Sequence, residues 1–118
     1  MNANEDNGPP LPLEVSAAEA NEILKVDPAA VLIDCRERSE YDLVHVAGGV
    51  LMPTSEFGNH VEAIQAMSNK RLLVMCHHGM RSMSVVQWLR QHGIENCQNV
   101  AGGIDAWACE VDSNLARY

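Results

Sequence analysis

The chain has 118 residues, 47% hydrophobic and 20% charged, with a formal net charge of −8. This suits one globular domain with a real core and excludes a disordered segment. The acidic balance argues against nucleic acid or an anionic membrane surface as partner, and no apolar run nears the roughly 20 residues a spanning helix needs.

Residues 1–12 are polar and then rich in proline, and read as a flexible arm. Residues 13–15 suggest a short strand. Ser16 followed by Glu19 has the pattern of a capping box, so a helix should run to about Lys25 and bury Ala20, Ile23 and Leu24. Asp27-Pro28 should end it. The apolar run 30–33 predicts a strand covered on both faces, and a charged stretch, 34–41, comes directly after it. Residues 50–52 form the next short strand, closed by Pro53. Thr54 or Ser55 is expected to cap a helix whose core stripe is Phe57, Val61, Ile64 and Met67.

Residues 72–75 are again apolar and predict a buried strand. Cys76 stands at its end, and a short loop with Gly79 leads to a helix over about 82–91, with Val85, Val86 and Leu89 on one face and Gly93 just past its end. Residues 97–100 read as the last strand, 101–103 as a turn and 104–109 as a short helix. Residues 111–118 carry no pattern and read as a tail. The domain should therefore occupy 13–110. Strands alternating with helices imply a parallel sheet covered on both faces, with ligands at the carboxyl ends of the strands. Cys76 and the charged group after residue 33 both fall at such ends.

The loop from Cys76 to Ser82 holds the chemistry. A helix N-terminus offers free amide hydrogens and a dipole that favours negative charge, so a cysteine there ionises easily, and the thiolate is the nucleophile. Arg81 is the loop's one permanent cation. Six residues from Cys76 to Arg81 make a ring of amides with a small radius. Phosphatases with a similar strand-loop-helix use one residue more around a phosphoryl group. The tighter ring suits a single sulfur atom bound to the cysteine.

Four separated stretches resemble the single-domain rhodaneses, which are sulfurtransferases. They are Leu32-Ile33-Asp34-Cys35-Arg36-Glu37 with Glu40-Tyr41; His45-Val46-Ala47-Gly48-Gly49-Val50 through Pro53; Cys76-His77-His78-Gly79-Met80-Arg81-Ser82; and Asn99-Val100-Ala101-Gly102-Gly103-Ile104 through Trp107. The resemblance implies an α/β rhodanese-like domain whose central, mostly parallel five-stranded sheet has helices on both faces. It implies a Cys76 persulfide, with sulfane sulfur taken from thiosulfate or a persulfide donor and passed to cyanide or a thiol. The amides of residues 77–82, namely His77, His78, Gly79, Met80, Arg81 and Ser82, would stabilise the charge, and Arg81 would attract an anionic donor. No metal or organic cofactor is expected. The partners would be small anionic donors, thiol or cyanide acceptors and a protein acceptor, with neither nucleic acid nor membrane.

Met80 is apolar where a thiosulfate-selective loop would place a donor, which leaves thiosulfate open as a surrogate. Asp34 and Arg36 are expected to brace the loop from the neighbouring strand. Cys35 reads as a small core residue, with a relay role as the sharper alternative. Cys97 and Cys109 read as structural. The four cysteines match no zinc spacing, and residues 1–6 lack the features of a signal peptide, so a reducing cytoplasmic location is expected. His45 is expected to be a hydrogen-bonded turn residue, His60 and His92 surface residues, and Trp88 and Trp107 packing residues. Two other functions compete: a sulfur-carrier or binding module without turnover, and a Cys-based phosphatase or arsenate reductase.

Overall fold

A computed structural model describes residues 11–118. Five short strands, β1 (Glu14–Val15), β2 (Val31–Asp34), β3 (Val50–Leu51), β4 (Leu72–Met75) and β5 (Cys97–Val100), form one sheet in the order β1-β5-β4-β2-β3. Every pairing is parallel, so the sheet expected to be mostly parallel is parallel throughout. Between the strands run α1 (Ala17–Val26), α2 (Arg38–Leu43), a 3-10 helix (Thr54–Asn59), α3 (Val61–Ala66) and α4 (Met80–Gln91), and α5 (Gly103–Glu110) follows the last strand.

Period-2 alternation divides the core. Ile33, Leu72, Val74 and Cys76 face α3 and α4 with Ile64, Val86 and Leu89. Leu32, Leu73, Met75 and Val100 face α1 and α5 with Ala17, Ala20, Ile104 and Trp107. A strand covered on both sides must be apolar at every position, which is why 72–75 reads as an unbroken run. β4 occupies the centre, and its end is where the chain can turn out of the core without exposing an edge.

The capping box at Ser16 and Glu19 forms as expected, and Gly93 succeeds α4 with a positive φ of 89°. One helix was not expected, and two expectations need correction. The charged stretch after β2 contains a helix, α2, opened by a second capping box between Glu37 and Glu40. Its charges are turned outward or paired, so no apolar stripe announces it. Neither Thr54 nor Ser55 acts as a helix cap; both bind the Glu37 carboxylate, and the chain passes through a 3-10 helix before α3. Finally, α4 begins at Met80 rather than near 82.

The two ends of the described chain are also held. Residues 1–10 of the expected arm lie outside the described residues, but the Leu11 and Pro12 carbonyls accept hydrogen bonds from Arg90. The expected tail returns to the domain: Leu115 packs on the α1/α5 core, Arg117 pairs with Asp105, and Tyr118 bonds to Arg36 just past the end of β2. Among the described residues no helix is long and apolar enough to cross a membrane.

Candidate active site at the end of the central strand

Cys76 comes directly after β4. Its Sγ accepts hydrogen bonds from the amides of Gly79 (3.1 Å) and Ser82 (3.4 Å), and from the Ser82 hydroxyl (3.3 Å). The chain can curl this tightly because Gly79 adopts φ +101°, and a Cβ there would press on the Gly102 amide. Ser82, in the first turn of α4, is fully buried, so its hydroxyl has no competing water.

Cys35 closes the other side of the sulfur. In the β2–β4 ladder Asp34 pairs with Met75, and the Cys35 amide donates to the Met75 carbonyl at 2.9 Å. Cys35 and Cys76 are thus neighbours on the same face. The two thiols share one buried pocket, and of the pair Cys76 is the one that ionises. The neighbouring Cys35 thiol, against the opposing cost of burial and together with the Ser82 and Gly79 donors, holds the Cys76 thiol well below its usual pKa. The Cys35 thiol is pushed far up by the Cys76 sulfur beside it, by burial and by the negative charge of that sulfur. Cys76 is only 1% exposed, yet what surrounds its sulfur is a set of donors, so ionisation survives burial.

The loop is anchored from behind by the last helix. The first amides of α5 donate to the loop carbonyls, Ile104 to Cys76 (2.8 Å) and Asp105 to His77 (3.1 Å). Such close backbone approach leaves no room for a side chain at Gly103, where a Cβ would collide with both carbonyls. Asn99 on β5 ties the rest together. Its Nδ2 donates to Gly79 O (3.1 Å) and to the Glu14 carboxylate (2.8 Å), and its Oδ1 accepts from the Ser82 hydroxyl. With both amide hydrogens engaged, Asn99 can offer Ser82 only its oxygen. The single Ser82 proton is therefore shared between Asn99 and Cys76.

The charged residues sit differently from expectation. Arg81 is not an unpaired cation: it makes a two-pronged salt bridge to Glu40, at 2.7 and 2.9 Å. Arg81 holds the Glu40 carboxyl down at about 2. Asp34 and Arg36 form a fully buried pair at 2.7 Å, and Arg36 also donates to the Glu40 and Val44 carbonyls and to the Tyr118 hydroxyl. They brace α2 directly and reach the loop by two routes, through Glu40 and Arg81 and through Tyr118. Tyr118 donates to Glu40 (2.8 Å) and stacks on His77.

His77 lies between the rings of His78 and Tyr118, while His78 and Met80 point outward. His45 takes its expected turn role, with Nδ1 3.0 Å from the Tyr41 carbonyl. His92 likewise contacts the Trp88 carbonyl. Trp107 is buried, but Trp88 is 39% exposed and lines a hollow of about 380 Å³ with Thr54, Phe57, Arg81, Ser84 and Val85. All four cysteines are free. Glu40, Asn99 and Gly103 are the site residues that sequence reasoning assigned no role, although each stands inside one of the four family-like stretches. The twin glycines 102 and 103 were the strongest available signal.

A parallel sheet with a cysteine cradled at the end of its central strand defines a class, and comparison with known proteins places the chain within it. The family model described as a rhodanese-like domain matches residues 16–110; the chain belongs to this family. It is 35% identical over 91 residues to the rhodanese-like/PpiC domain-containing protein 12, chloroplastic, of Arabidopsis thaliana, covering 75% of this chain and 30% of that protein. It is 29% identical to the adenylyltransferase and sulfurtransferase MOCS3 of the same plant, covering 92% and 27%. The chain thus spans less than a third of the length of these relatives.

Among solved structures, a rhodanese-related protein from Thermoplasma volcanium superposes with a TM-score of 0.74 at 30% identity, covering 89% of this chain and 98% of the other. A thiosulfate sulfurtransferase from Pseudomonas aeruginosa gives 0.75 at 26% identity, covering 88% and 20%. Relatives of this domain therefore include sulfurtransferases.

Proposed function

We propose that this domain moves sulfane sulfur through a persulfide on Cys76. The observation that carries the reading is the Sγ held by three hydrogen bonds from Gly79 and Ser82. These donors are neutral and fixed, so they stabilise charge on sulfur without a counter-ion that would have to leave. The reaction has two half-steps. The Cys76 thiolate attacks the outer sulfur of thiosulfate or of a persulfide, and the donor departs as sulfite or thiolate. An acceptor, cyanide or a thiol, then attacks the sulfur carried on Cys76 and restores the thiolate. The chemistry calls for no metal or organic cofactor.

Pairing of Arg81 with Glu40 makes donor capture by this cation dependent on breaking the salt bridge. That supports a persulfide, with its smaller need for a counter-charge, over thiosulfate as the better donor. The sulfurtransferase names of relatives support the reaction class. A protein acceptor and a cytoplasmic location remain part of the proposal.

The test is intact-mass measurement after incubation with thiosulfate, then addition of cyanide and a thiocyanate assay. Wild type should gain one sulfur and yield thiocyanate, and Cys76→Ser should do neither. Loading without thiocyanate would instead assign a carrier. An unloaded wild type that hydrolyses an aryl phosphate would replace sulfur transfer with phosphatase chemistry.

A further inference from the structure

We propose that Cys35 is a resolving thiol: it attacks the Cys76 sulfur of the loaded domain, expels the carried sulfur as sulfide and closes a Cys35–Cys76 disulfide. The proposal rests on the persulfide reading and gives that intermediate a second fate.

Geometry places the pair. Ile33 with Val74, and Asp34 with Met75, are in register across β2 and β4. The Cys35 amide to Met75 carbonyl bond continues the ladder by one step. In a parallel pair, neighbouring register positions point to the same face. Both thiols accordingly belong to the core on the α3/α4 side. Adjacent strands run about 4.7–4.9 Å apart, inside the Cα separation of about 4.4–6.8 Å that a disulfide spans. The other two cysteines are out of reach of this chemistry: Cys97 directs its thiol to the Ile94 and Val86 carbonyls, and Cys109 is exposed on α5.

Burial then separates the two fates. A loaded Cys76 presents two sulfurs, and which one is attacked decides the product. Attack on the outer sulfur transfers it to the acceptor. Attack on the inner one releases sulfide. Cys76 is 1% exposed and Cys35 is not exposed at all, so a dissolved thiol is kept off the inner sulfur. Cys35 stands beside it on the neighbouring strand, inside the same buried cluster. Holding a nucleophile beside its target replaces a bimolecular encounter, which favours this route whenever no acceptor is present.

The step balances. The bond between Cys76 Sγ and the carried sulfur breaks, and a bond between Cys76 Sγ and Cys35 Sγ forms. The carried sulfur, anionic in the persulfide, first takes the Cys35 proton and so makes Cys35 a thiolate as it attacks; it then keeps the electron pair of the broken bond and leaves as HS−, while the two cysteine sulfurs are oxidised to the disulfide. Return to the dithiol takes one dithiol or two equivalents of a small thiol. The domain would then act as a persulfide reductase when acceptor is scarce.

The experiment loads the full chain with thiosulfate until its mass shows one added sulfur, removes small molecules, and tracks sulfide and mass with time in the absence of thiol. Wild type should release one equivalent of sulfide and end two hydrogens lighter than the reduced chain, with a peptide pair linking Cys35 to Cys76. Cys35→Ser and Cys35→Ala, each loaded to the same extent and checked by circular dichroism, should release sulfide at least about ten-fold more slowly. Equal rates in all three proteins, or a disulfide to Cys97 or Cys109, would overturn the proposal. If Cys76 loads and yields thiocyanate but forms no disulfide, only the resolving role falls. If Cys76 takes no sulfur, the persulfide reading fails and this one with it.

Discussion

The ends of β2 and β4 lie side by side and both hold a charge away from water, by opposite means. At the end of β2, the Asp34 carboxylate meets the Arg36 guanidinium, and Arg36 also donates to two carbonyls and the Tyr118 hydroxyl. After β4, the Cys76 sulfur meets only neutral donors. A charge neutralised by a fixed counter-charge has nothing left to react with. A charge supported by dipoles keeps its electrons available, and its energy depends on how well each donor is aimed. The first arrangement is structural and the second reactive.

The sharpest way to break this contrast is on the structural side. Arg36→Ala leaves the Asp34 carboxylate buried without its counter-charge and the Val44 carbonyl without its donor. It should cost about 3–5 kcal/mol, read as a lowered urea midpoint. Near-wild-type stability would mean that the pair is not the keystone of its strand end.

On the reactive side, Gly103→Ala puts a methyl group into the Cys76 and His77 carbonyls at a φ of +60°. Because it moves the cradle rather than the sulfur's own donors, sulfur transfer should fall by about a hundred-fold, with a stability loss of about 1–3 kcal/mol. Sulfur-transfer rates and thermal unfolding separate the two effects.

Ser82→Ala sharpens the comparison by removing one neutral donor. Alkylation of Cys76 by iodoacetamide tracks the thiolate fraction. In wild type it should stay constant through neutral pH and fall only in acid, since the thiol lies well below its usual pKa. Loss of the hydroxyl disfavours the charged form, so the midpoint should rise by about half to one pH unit. An unchanged midpoint would show that the Ser82 proton stays on Asn99.

Glu40→Gln should have the smallest effect. The Glu40–Arg81 pair is partly exposed, at 20% and 38%, so stability should drop by about 1 kcal/mol or less. Its contribution is complete above the ordinary carboxyl value of 4.5 and fades as pH falls toward about 2. Freed from its partner, Arg81 should bind thiosulfate better and lower KM by about three-fold, an effect that salt should erase.

Much of this contrast was legible before any coordinates. Apolar runs at 30–33 and 72–75 are strands because both faces are covered, and a cysteine, a glycine and a helix start in that order already describe a cradle. What misled was charge. Arg81 reads as a donor-seeking cation until Glu40, far off in the sequence, is found against it. Asp34 and Arg36 read as loop supports because their i, i+2 spacing reveals a pair but not the α2 carbonyls that Arg36 fills. Residues 111–118 carry no periodicity, so nothing in them announces that Tyr118 would stack on His77.

Periodicity, turn residues and the placement of one thiol at a strand end are local properties, and the sequence alone was enough to determine the α/β class, the buried strand over 72–75 and the candidate nucleophile. Register and partnership are not local. Whether Cys35 faces Cys76, which way Asn99 turns its amide, and whether Arg81 is free all depend on residues that meet only when β2, β4 and β5 lie side by side. Tertiary structure decided them because a hydrogen bond or ion pair needs both members within about 3 Å, a condition that the sequence states for neighbours and leaves open for the rest.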